Sequence, residues 1–307
     1  MDKVIRTENL CKYFGKVRAV NGISISIQKG EIYGFLGLNG AGKTTTIRML
    51  LGMIRPTSGA SYLNGEQVTS VNSDLWKNVG HLVEIPYSYP DLTVLENLDI
   101  VRQLRFIKNK RAVYEIIERF ELEPYKNVIA KNLSQGNAQR LGLAKAMMHN
   151  PEILILDEPA NGLDPAGIVE IREMLQDLSI NKGVTIFISS HILGEISKFA
   201  TRIGIIHEGR LILESAIHDL EKLRKKCLHI RTPDLNSAMA LLENKGYDPT
   251  LAEGDFLEIH NTKSIQNPEN IATLLVNSGF PPNLLRVEEE DLESFFLRVI
   301  SMKGGVE

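Results

Sequence analysis

Several features that mark particular classes of protein are scarce in this sequence. Cysteine occurs twice in 307 residues, as Cys11 and Cys227, and so distant a pair forms neither a metal-binding spacing nor a disulfide framework. No apolar run approaches the roughly 20 residues of a membrane-spanning helix, and the opening residues MDKVIRTENL lack the apolar core of a signal peptide. We therefore expect a reduced, cytosolic protein that acts at a membrane only through a partner.

An excess of positive charge is also missing. The net charge is −3, and lysine and arginine are scattered along the chain, so the sequence offers no basic surface for sequence-independent binding of nucleic acid. Apolar residues make up 43 % and charged residues 24 %, as in ordinary soluble proteins, and the length favours two domains.

What the sequence does contain is a glycine-rich motif. Residues 37–44 read G-L-N-G-A-G-K-T, after an apolar run at 32–36 and before a helical pattern at 46–51. In this strand–loop–helix context the glycines let backbone N–H groups approach phosphate oxygens, and the helix N-terminus faces the same anion. Lys43 is expected to contact the β- and γ-phosphates, and Thr44 a Mg²⁺ ion. The alternative is a glycine-rich turn that binds nothing, but the complete motif in its context predicts binding of a nucleoside triphosphate.

Two further patterns lie downstream. Residues 154–159 read L-I-L-D-E-P and place Asp157 and Glu158 at the end of an apolar strand. The first carboxylate suits Mg²⁺ and the second suits a base that orients water, although a solvated strand cap is the alternative explanation. Ser134 is a good helix N-cap, so we expect a second helix start able to bind an anion there.

The distribution of apolar residues favours an α/β fold. Continuous apolar runs at 153–156 and 185–188 are typical of strands buried on both faces of a parallel sheet, and a helix with one apolar face separates them. We also predict strands at 4–10, 23–27 and 203–206, a loop at 11–16, and mainly helices across 91–148. Such strand–helix alternation around a phosphate loop indicates a mostly parallel sheet.

The composition changes after about residue 218. A charged connector at 220–226 precedes predicted strands at 228–231, 256–260 and 284–288 and predicted helices at 235–244, 268–278 and 291–302. No titratable cluster stands out in this part of the sequence. We therefore expect residues 219–307 to form a small α+β accessory domain without chemistry of its own.

The motifs, in this order and spacing, resemble those of the nucleotide-binding subunits of ATP-binding-cassette (ABC) transporters over about residues 4–215. Five motifs carry the resemblance: Walker A at 37–44, Walker B at 153–158, the signature at 133–137, the D-loop at 161–164 and the switch histidine at His191. Phe14 is similar to the family's adenine-stacking aromatic residue, with Tyr13 as the alternative.

The signature and Walker A motifs depart from the family pattern. The signature reads L-S-Q-G-N, so Gln135 and Asn137 differ from the consensus, whereas Ser134 and Gly136 keep its serine and second glycine. Leu38 replaces a proline that many cassettes carry. Because the serine and glycine remain, anion binding at this helix start should survive.

A third departure lies at the position of the family's Q-loop glutamine, where this chain has Glu84. The resemblance implies that Glu84 ligates Mg²⁺; the alternative is that Glu84 points to solvent and a water replaces it. The stretch 82–98 resembles exporters of the bacitracin-resistance and lantibiotic-immunity type. Those exporters have a single cassette, a separate membrane subunit and a C-terminal extension.

The resemblance implies an ABC cassette at 1–218, with a mostly parallel core sheet, an antiparallel β subdomain and a helical subdomain at about 91–148. It further implies a head-to-tail dimer that sandwiches two ATP molecules between the two chains. Nucleotide contacts are then expected from Phe14, Gly37, Leu38, Asn39, Gly40, Ala41, Gly42, Lys43, Thr44, Thr45, Ser134, Gly136, Asn137 and Asp164. Mg²⁺ ligation is expected from Thr44, Asp157 and Glu84, and catalysis from Glu158 and His191.

The implied function is ATP hydrolysis that powers export of a drug or antimicrobial peptide through a separate integral membrane permease. The chain would then work at the cytoplasmic face of the cell membrane, with the permease docked near residues 84–98, where Ile85, Tyr87 and Tyr89 supply an apolar patch. One alternative is a soluble ABC protein that acts on nucleic acid or ribosomes, which usually needs a second cassette, a coiled-coil insertion or a basic surface. The other alternative is a switch that binds ATP without hydrolysing it, and the presence of both Glu158 and His191 argues against it.

Overall fold

A computed structural model describes residues 3–69, 74–84, 86–252 and 254–303. The chain divides into two compact units, one reaching Ile217 and including the chain from Val299 onward, and the other spanning His218–Arg298. Among the described residues, no helix is long and apolar enough to cross a membrane.

The first unit combines two sheets with a set of helices. Its strands are β1 (Lys3–Phe14), β2 (Val17–Ile23), β3 (Ser26–Gln28), β4 (Ile32–Leu36), β5 (Ser58–Leu63), β6 (Glu66–Gln67), β7 (Val79–Leu82), β8 (Ile153–Asp157), β9 (Thr185–Ser190), β10 (Arg202–His207) and β11 (Arg210–Ala216). Its α-helices are α1 (Lys43–Leu50), α2 (Val94–Leu104), α3 (Arg111–Arg119), α4 (Gln135–Met147), α5 (Pro165–Lys182) and α6 (Leu193–Ile196). Short 3₁₀ turns lie at Asp74–Asn78, Glu123–Tyr125 and Ala130–Asn132.

The core sheet has the strand order β11-β10-β4-β9-β8-β7 and is parallel apart from the edge pair β10–β11. Every residue of β4 and β8 is buried, which explains their continuous apolar sequences and confirms the predicted mostly parallel sheet. Because β4, β9 and β8 are neighbours and parallel, their carboxyl ends meet at one edge. The phosphate loop follows β4 at that edge, and Asp157 and Glu158 follow from β8.

The second sheet is antiparallel, with the order β2-β1-β5-β6 and β3 also paired with β1. The predicted loop at 11–16 is wrong, because β1 continues to Phe14 and turns at Gly15, φ +57°, into β2. The backbone N–H and C=O groups of these residues pair with β2 and β5. The local sequence does not reveal these pairings, because both partner strands come from other parts of the chain. The predicted strand at 23–27 is interrupted between β2 and β3, although its alternate isoleucines are buried as expected.

Helices fill most of residues 94–147, as predicted. Thr93 caps α2 through a capping box with Glu96, whose carboxylate accepts from the Thr93 backbone N–H at 2.7 Å. Ser134 caps α4 by accepting from the backbone N–H of Asn137 at 3.3 Å. These caps fix where the two helices begin, and the second cap confirms the predicted helix start at the signature.

The second unit contains α7 from His218 onward (Ile217–Leu223), β12 (Lys226–Arg231), α8 (Leu235–Asn244), β13 (Pro249–Ala252), β14 (Phe256–Ile259), α9 (Thr262–Gln266), α10 (Pro268–Asn277), β15 (Leu284–Glu289) and α11 up to Arg298 (Leu292–Lys303). Its sheet is antiparallel with the order β13-β14-β12-β15. This is the split β-α-β arrangement of ferredoxin-like folds. The predicted α+β character is confirmed, but β13 was missed because it is short, begins at a proline and lies at the sheet edge.

One expectation for this unit is wrong. The sequence suggested no titratable cluster, yet pairing of β12 with β14 and β15 gathers Cys227, His229, Glu258 and Glu288 on one side of the sheet. These residues are up to 61 positions apart in the chain, so only strand pairing brings them together.

Candidate active site

The phosphate loop is held tightly against neighbouring backbone. A Cβ on Gly42, whose φ is +109°, would lie 2.4 Å from the carbonyl oxygen of Ala19, and one on Gly37 would lie 2.6 Å from that of Ile206. Gly40 has φ +81° and open space where a Cβ would stand. The glycines are therefore needed for backbone conformation and close packing, and the loop after β4 is a rigid frame that ends at the start of α1.

Lys43 reaches back across this loop. Its ammonium donates to the carbonyl oxygens of Gly37 at 2.6 Å and Leu38 at 3.2 Å, and it lies 3.1 Å from Glu158 Oε1. The Lys43 side chain is only 6 % exposed, so its charge acts in a poorly solvated place where electrostatic interactions are strong. A phosphate bound in the loop would compete with Glu158 for this ammonium.

Asp157 is the second fixed charge of the site. Its Oδ2 accepts from the Thr44 hydroxyl at 2.7 Å, and its Oδ1 accepts from the Ser189 hydroxyl at 2.5 Å. Asp157 is almost fully buried, and these hydrogen bonds orient both carboxylate oxygens. Thr44 and Asp157 together offer hard oxygen ligands, which is the donor chemistry that Mg²⁺ prefers. The site therefore fits a magnesium ion.

Glu158 joins the lysine to the switch histidine. Besides its contact with Lys43, it places Oε2 2.5 Å from His191 Nδ1, while its backbone N–H donates to Ser189 Oγ at 3.0 Å. Glu158 has φ +49°, a conformation that is uncommon outside glycine and tends to occur at functional sites. The structure thus brings together Lys43, Glu158 and His191, which lie far apart in the sequence.

The hydroxyl of Ser189 is a functional group that sequence reasoning missed. Ser189 is fully buried within β9, donates to Asp157 and accepts from the Glu158 backbone. A polar residue at the end of the apolar run 185–188 was the available signal.

The aromatic candidates lie at the β1–β2 turn. Phe14 is 53 % exposed, with Lys12 Nζ 5.1 Å from the centre of its ring. Tyr13 is less exposed, and its hydroxyl donates to Asn21 Oδ1 at 3.3 Å. Phe14 is therefore the more exposed of the two rings, which supports it over Tyr13 as a stacking residue.

The signature and D-loop residues lie at two helix starts of the same unit. Asp164 caps α5 by accepting from the backbone N–H of Gly167 at 2.9 Å, while Gly136 and Asn137 stand in the first turn of α4. The side chain of Gln135 reaches the D-loop, with Nε2 3.5 Å from the Asn161 carbonyl oxygen. The unusual third signature residue thus contacts the D-loop that precedes α5.

Glu84 has a partner on the phosphate-loop helix. Its Oε1 lies 2.6 Å from Arg48 Nη2, and both side chains are about half exposed. Glu84 has φ +60° and follows β7, which pairs with β8. The predicted Q-loop residue is therefore tied to α1 by an ion pair that is partly open to solvent.

Sequence comparisons give the following relatives. The model of the ABC transporter family matches residues 20–161. The bacitracin transport ATP-binding protein BcrA of Enterococcus faecalis is 41 % identical over 308 residues, covering 100 % of this chain and 99 % of that protein. The protein of the same name from Bacillus licheniformis is 39 % identical over 307 residues, covering 99 % of each. The lantibiotic transport ATP-binding protein SrtF of Streptococcus pyogenes is 36 % identical over 222 residues, covering 72 % of this chain and 95 % of that protein.

Solved structures agree on the fold. An ATP-binding subunit of an ABC transporter superposes with a TM-score of 0.65 at 25 % identity, covering 72 % of this chain and 92 % of that one. A dimeric bacterial ABC transporter cassette gives 0.64 at 25 % identity, covering 69 % and 98 %. Fold and site together define a P-loop ATPase. This chain belongs to the ATP-binding subunits of ABC transporters, as the sequence motifs predicted.

Proposed function

We propose that this ATPase powers export of a bacitracin- or lantibiotic-like antimicrobial peptide through a separate integral membrane permease. The main observation in favour of ATP hydrolysis is the series of contacts from Lys43 through Glu158 to His191, next to the buried pair Thr44–Asp157. Similarity to the two bacitracin transport proteins over nearly the whole chain supports the cargo class. Working through a permease would place the chain at the cytoplasmic face of the membrane.

In the proposed reaction, water attacks the γ-phosphorus, the bond from γ-phosphorus to the bridging oxygen breaks, and ADP leaves. Glu158 orients the attacking water and accepts its proton, and His191 holds Glu158 in place and contacts the γ-phosphate. Lys43 stabilises the negative charge that develops on the phosphoryl oxygens. Thr44 and Asp157 would hold Mg²⁺, which when bound neutralises charge on the β- and γ-phosphates. Glu84 is proposed as a further ligand.

The proposed working unit is a head-to-tail dimer. Ser134, Gly136 and Asn137 form an N-terminal helix turn suited to an anion, and in such a dimer this turn would cover the nucleotide bound to the other copy. Asp164 and the Gln135–Asn161 contact would lie at the same interface. The dimeric cassette among the solved structures supports this arrangement.

The proposed docking surface for the permease lies near residues 84–98. Tyr87 is 75 % exposed and Tyr89 43 % exposed, and their rings pack edge to face at 6.0 Å. Ile85, the third member of the predicted patch, lies outside the described residues. Lys145 Nζ holds this segment by donating to the Tyr87 carbonyl at 3.0 Å and to Ser88 Oγ at 2.8 Å. We propose residues 218–298 as an accessory unit of the transporter.

The cargo is tested by expressing the chain with a candidate membrane subunit, such as a six-span protein encoded beside it, in a bacitracin-sensitive bacterium. We expect resistance that requires both proteins and is lost with Glu158→Gln. Resistance to a lantibiotic alone would narrow the cargo to that class, and resistance to neither peptide would contradict the proposal. Affinity purification should recover the membrane protein; recovery of RNA or ribosomes instead would favour the alternative function.

A further inference from the structure

The sheet of the second unit has one apolar face and one polar face. Leu228, Ile230, Leu257 and Ile259 are fully buried in the core that this sheet shares with α8 and α10. Side chains alternate along a strand, so the residues between these leucines and isoleucines face the other way. On β12 those residues include Cys227 and His229, and on β14 they include Glu258.

Strand register brings three different ligand types together on the polar face. His229 stands directly opposite Glu258, and His229 Nε2 lies 2.9 Å from Glu258 Oε1. The sulfur of Cys227, a ring nitrogen of His229 and a carboxylate oxygen of Glu258 lie within 4.8 Å of one another. Ligand atoms on a tetrahedral zinc ion stand roughly 3.3–3.8 Å apart, as bond lengths of about 2.0–2.3 Å require. Small side-chain movements, including a slight separation of the His229 and Glu258 atoms, would therefore fit this set around one ion.

The surroundings of His229 resemble the support that metal-binding histidines receive. Its second ring nitrogen, Nδ1, is buried without a hydrogen bond and lies 2.5 Å from Glu288 Oε2 on β15. A small turn of the Glu288 carboxylate would let it accept from Nδ1–H, which would fix the ring orientation and leave Nε2 for a metal. The ring of Phe256 stacks on His229 at 5.6 Å. His229 is only 15 % exposed and Glu258 26 %, so both side chains are largely shielded from solvent.

We propose that Cys227, His229 and Glu258 form a binding site for Zn²⁺ in the second unit, with Glu288 orienting His229. Thiolate, imidazole and carboxylate are together the donor set typical of zinc, whereas Mg²⁺ and Ca²⁺ take oxygen ligands. His260, whose Nε2 lies 3.6 Å from Glu258 Oε2, or a water would supply the fourth ligand. This site goes beyond the proposed function and does not depend on it.

The first test measures metal binding by the full chain. Chelator-treated protein without nucleotide is titrated with Zn²⁺ in excess Mg²⁺, which occupies hard oxygen sites. We expect one Zn²⁺ per chain in the wild type. The variants Cys227→Ser and His229→Gln should raise the dissociation constant by more than about 100-fold, beyond the usual cost of losing an outer-sphere partner. Glu288→Gln should raise it about 10–100-fold and keep the stoichiometry.

The matched control is His218→Gln, since His218 is an exposed histidine in the same unit that belongs to no such group of ligands within the part of the chain that the structure describes. It should bind Zn²⁺ as the wild type does. Equal Zn²⁺ affinity in wild type, Cys227→Ser and His229→Gln would overturn the proposal. So would the absence of stoichiometric zinc from the wild type.

A spectroscopic test remains decisive even if a variant fails to fold. Co²⁺ added to the wild-type chain should give a thiolate-to-metal charge-transfer band, because only two cysteines are present, Cys11 and Cys227. The band should persist in Cys11→Ser, which keeps the proposed ligand. No band in the wild type, or its loss in Cys11→Ser with retention in Cys227→Ser, would show that Cys227 binds no metal.

Discussion

At the scale of single residues, the contact between Glu158 and Lys43 means that a change in Glu158 alters how strongly Lys43 can bind a phosphate. An anionic carboxylate 3.1 Å from the lysine competes with a γ-phosphate for the same buried charge. Glu158→Gln should therefore bind ATP at least as tightly as the wild type. Because it removes the base, turnover should fall about 10²–10⁴-fold and the ATP-bound dimer should accumulate. Single-turnover hydrolysis, nucleotide titration and size-exclusion chromatography with ATP measure these effects.

Lys43→Ala is the contrasting variant, since it should lose affinity for the nucleotide itself. Wild-type turnover in Glu158→Gln would contradict the role proposed for Glu158. Failure of that variant to dimerise with ATP would contradict the proposed sandwich.

Glu84 gives a second residue-scale prediction. A carboxylate near a bare triphosphate is repulsive, whereas one that ligates Mg²⁺ is attractive. Glu84→Gln should consequently weaken the dependence of ATP affinity on Mg²⁺ and leave a functional site. ATP is titrated with and without Mg²⁺ against both proteins.

Arg48→Gln is the control for this experiment, because it removes the partner of Glu84 without touching its carboxylate. An exposed ion pair of this kind contributes only about 0–1 kcal/mol, so the fold should tolerate either change. The same Mg²⁺ dependence in wild type and Glu84→Gln would show that Glu84 does not hold the metal.

At the scale of elements, the helix α4 and the strand β7 share a histidine that should make the first unit acid-sensitive. His149, just after α4, places Nε2 3.1 Å from the Val79 carbonyl oxygen. Burial, with Arg105 near by, lowers the pKa of His149 to about 4. As pH falls through about 6.5 the unfolded chain takes up this proton, while the folded chain does so only near 4. The contribution of neutral His149 to the free energy of unfolding is thus fully present above about pH 6.5 and is lost as the pH falls from 6.5 to about 4.

In His149→Gln the free energy of unfolding should change by about 1–2 kcal/mol less than in the wild type over this pH range. This figure allows for the partial exposure of the ring, which weakens the effect. Trp76, the only tryptophan of the chain, packs against the core of the first unit, so its fluorescence in urea reports the unfolding of that unit. If wild type and His149→Gln lose stability equally between pH 6.5 and 4, His149 is not responsible.

At the scale of the whole molecule, the division near residue 218 predicts that the units fold separately. The second unit has its own core around Leu228, Ile230 and Leu257. A chain truncated at Leu220 should remain soluble, bind ATP and show cooperative Trp76 unfolding in urea. The truncation also removes the residues from Val299 onward that group with the first unit, so a modest loss of stability is expected. If the truncated chain is unfolded, the division into two separately folding units is wrong.

The sequence by itself determined the class of this protein and most of its chemistry. Phosphate-loop glycines, a carboxylate pair after an apolar strand and a helix cap are local patterns whose spacing is fixed by backbone geometry. Continuous apolar runs likewise predicted the buried strands β4, β8 and β9, because strands covered on both faces are apolar along most of their length.

The tertiary structure decided which distant residues meet. Only the parallel pairing of β8 with β9 places Ser189 beside Asp157 and His191 beside Glu158. Only antiparallel pairing brings Cys227 to Glu258, residues that no sequence spacing connects. Strand register depends on the packing of whole faces rather than on local preference, so contacts of this kind follow from the assembled sheet and not from any stretch of the chain.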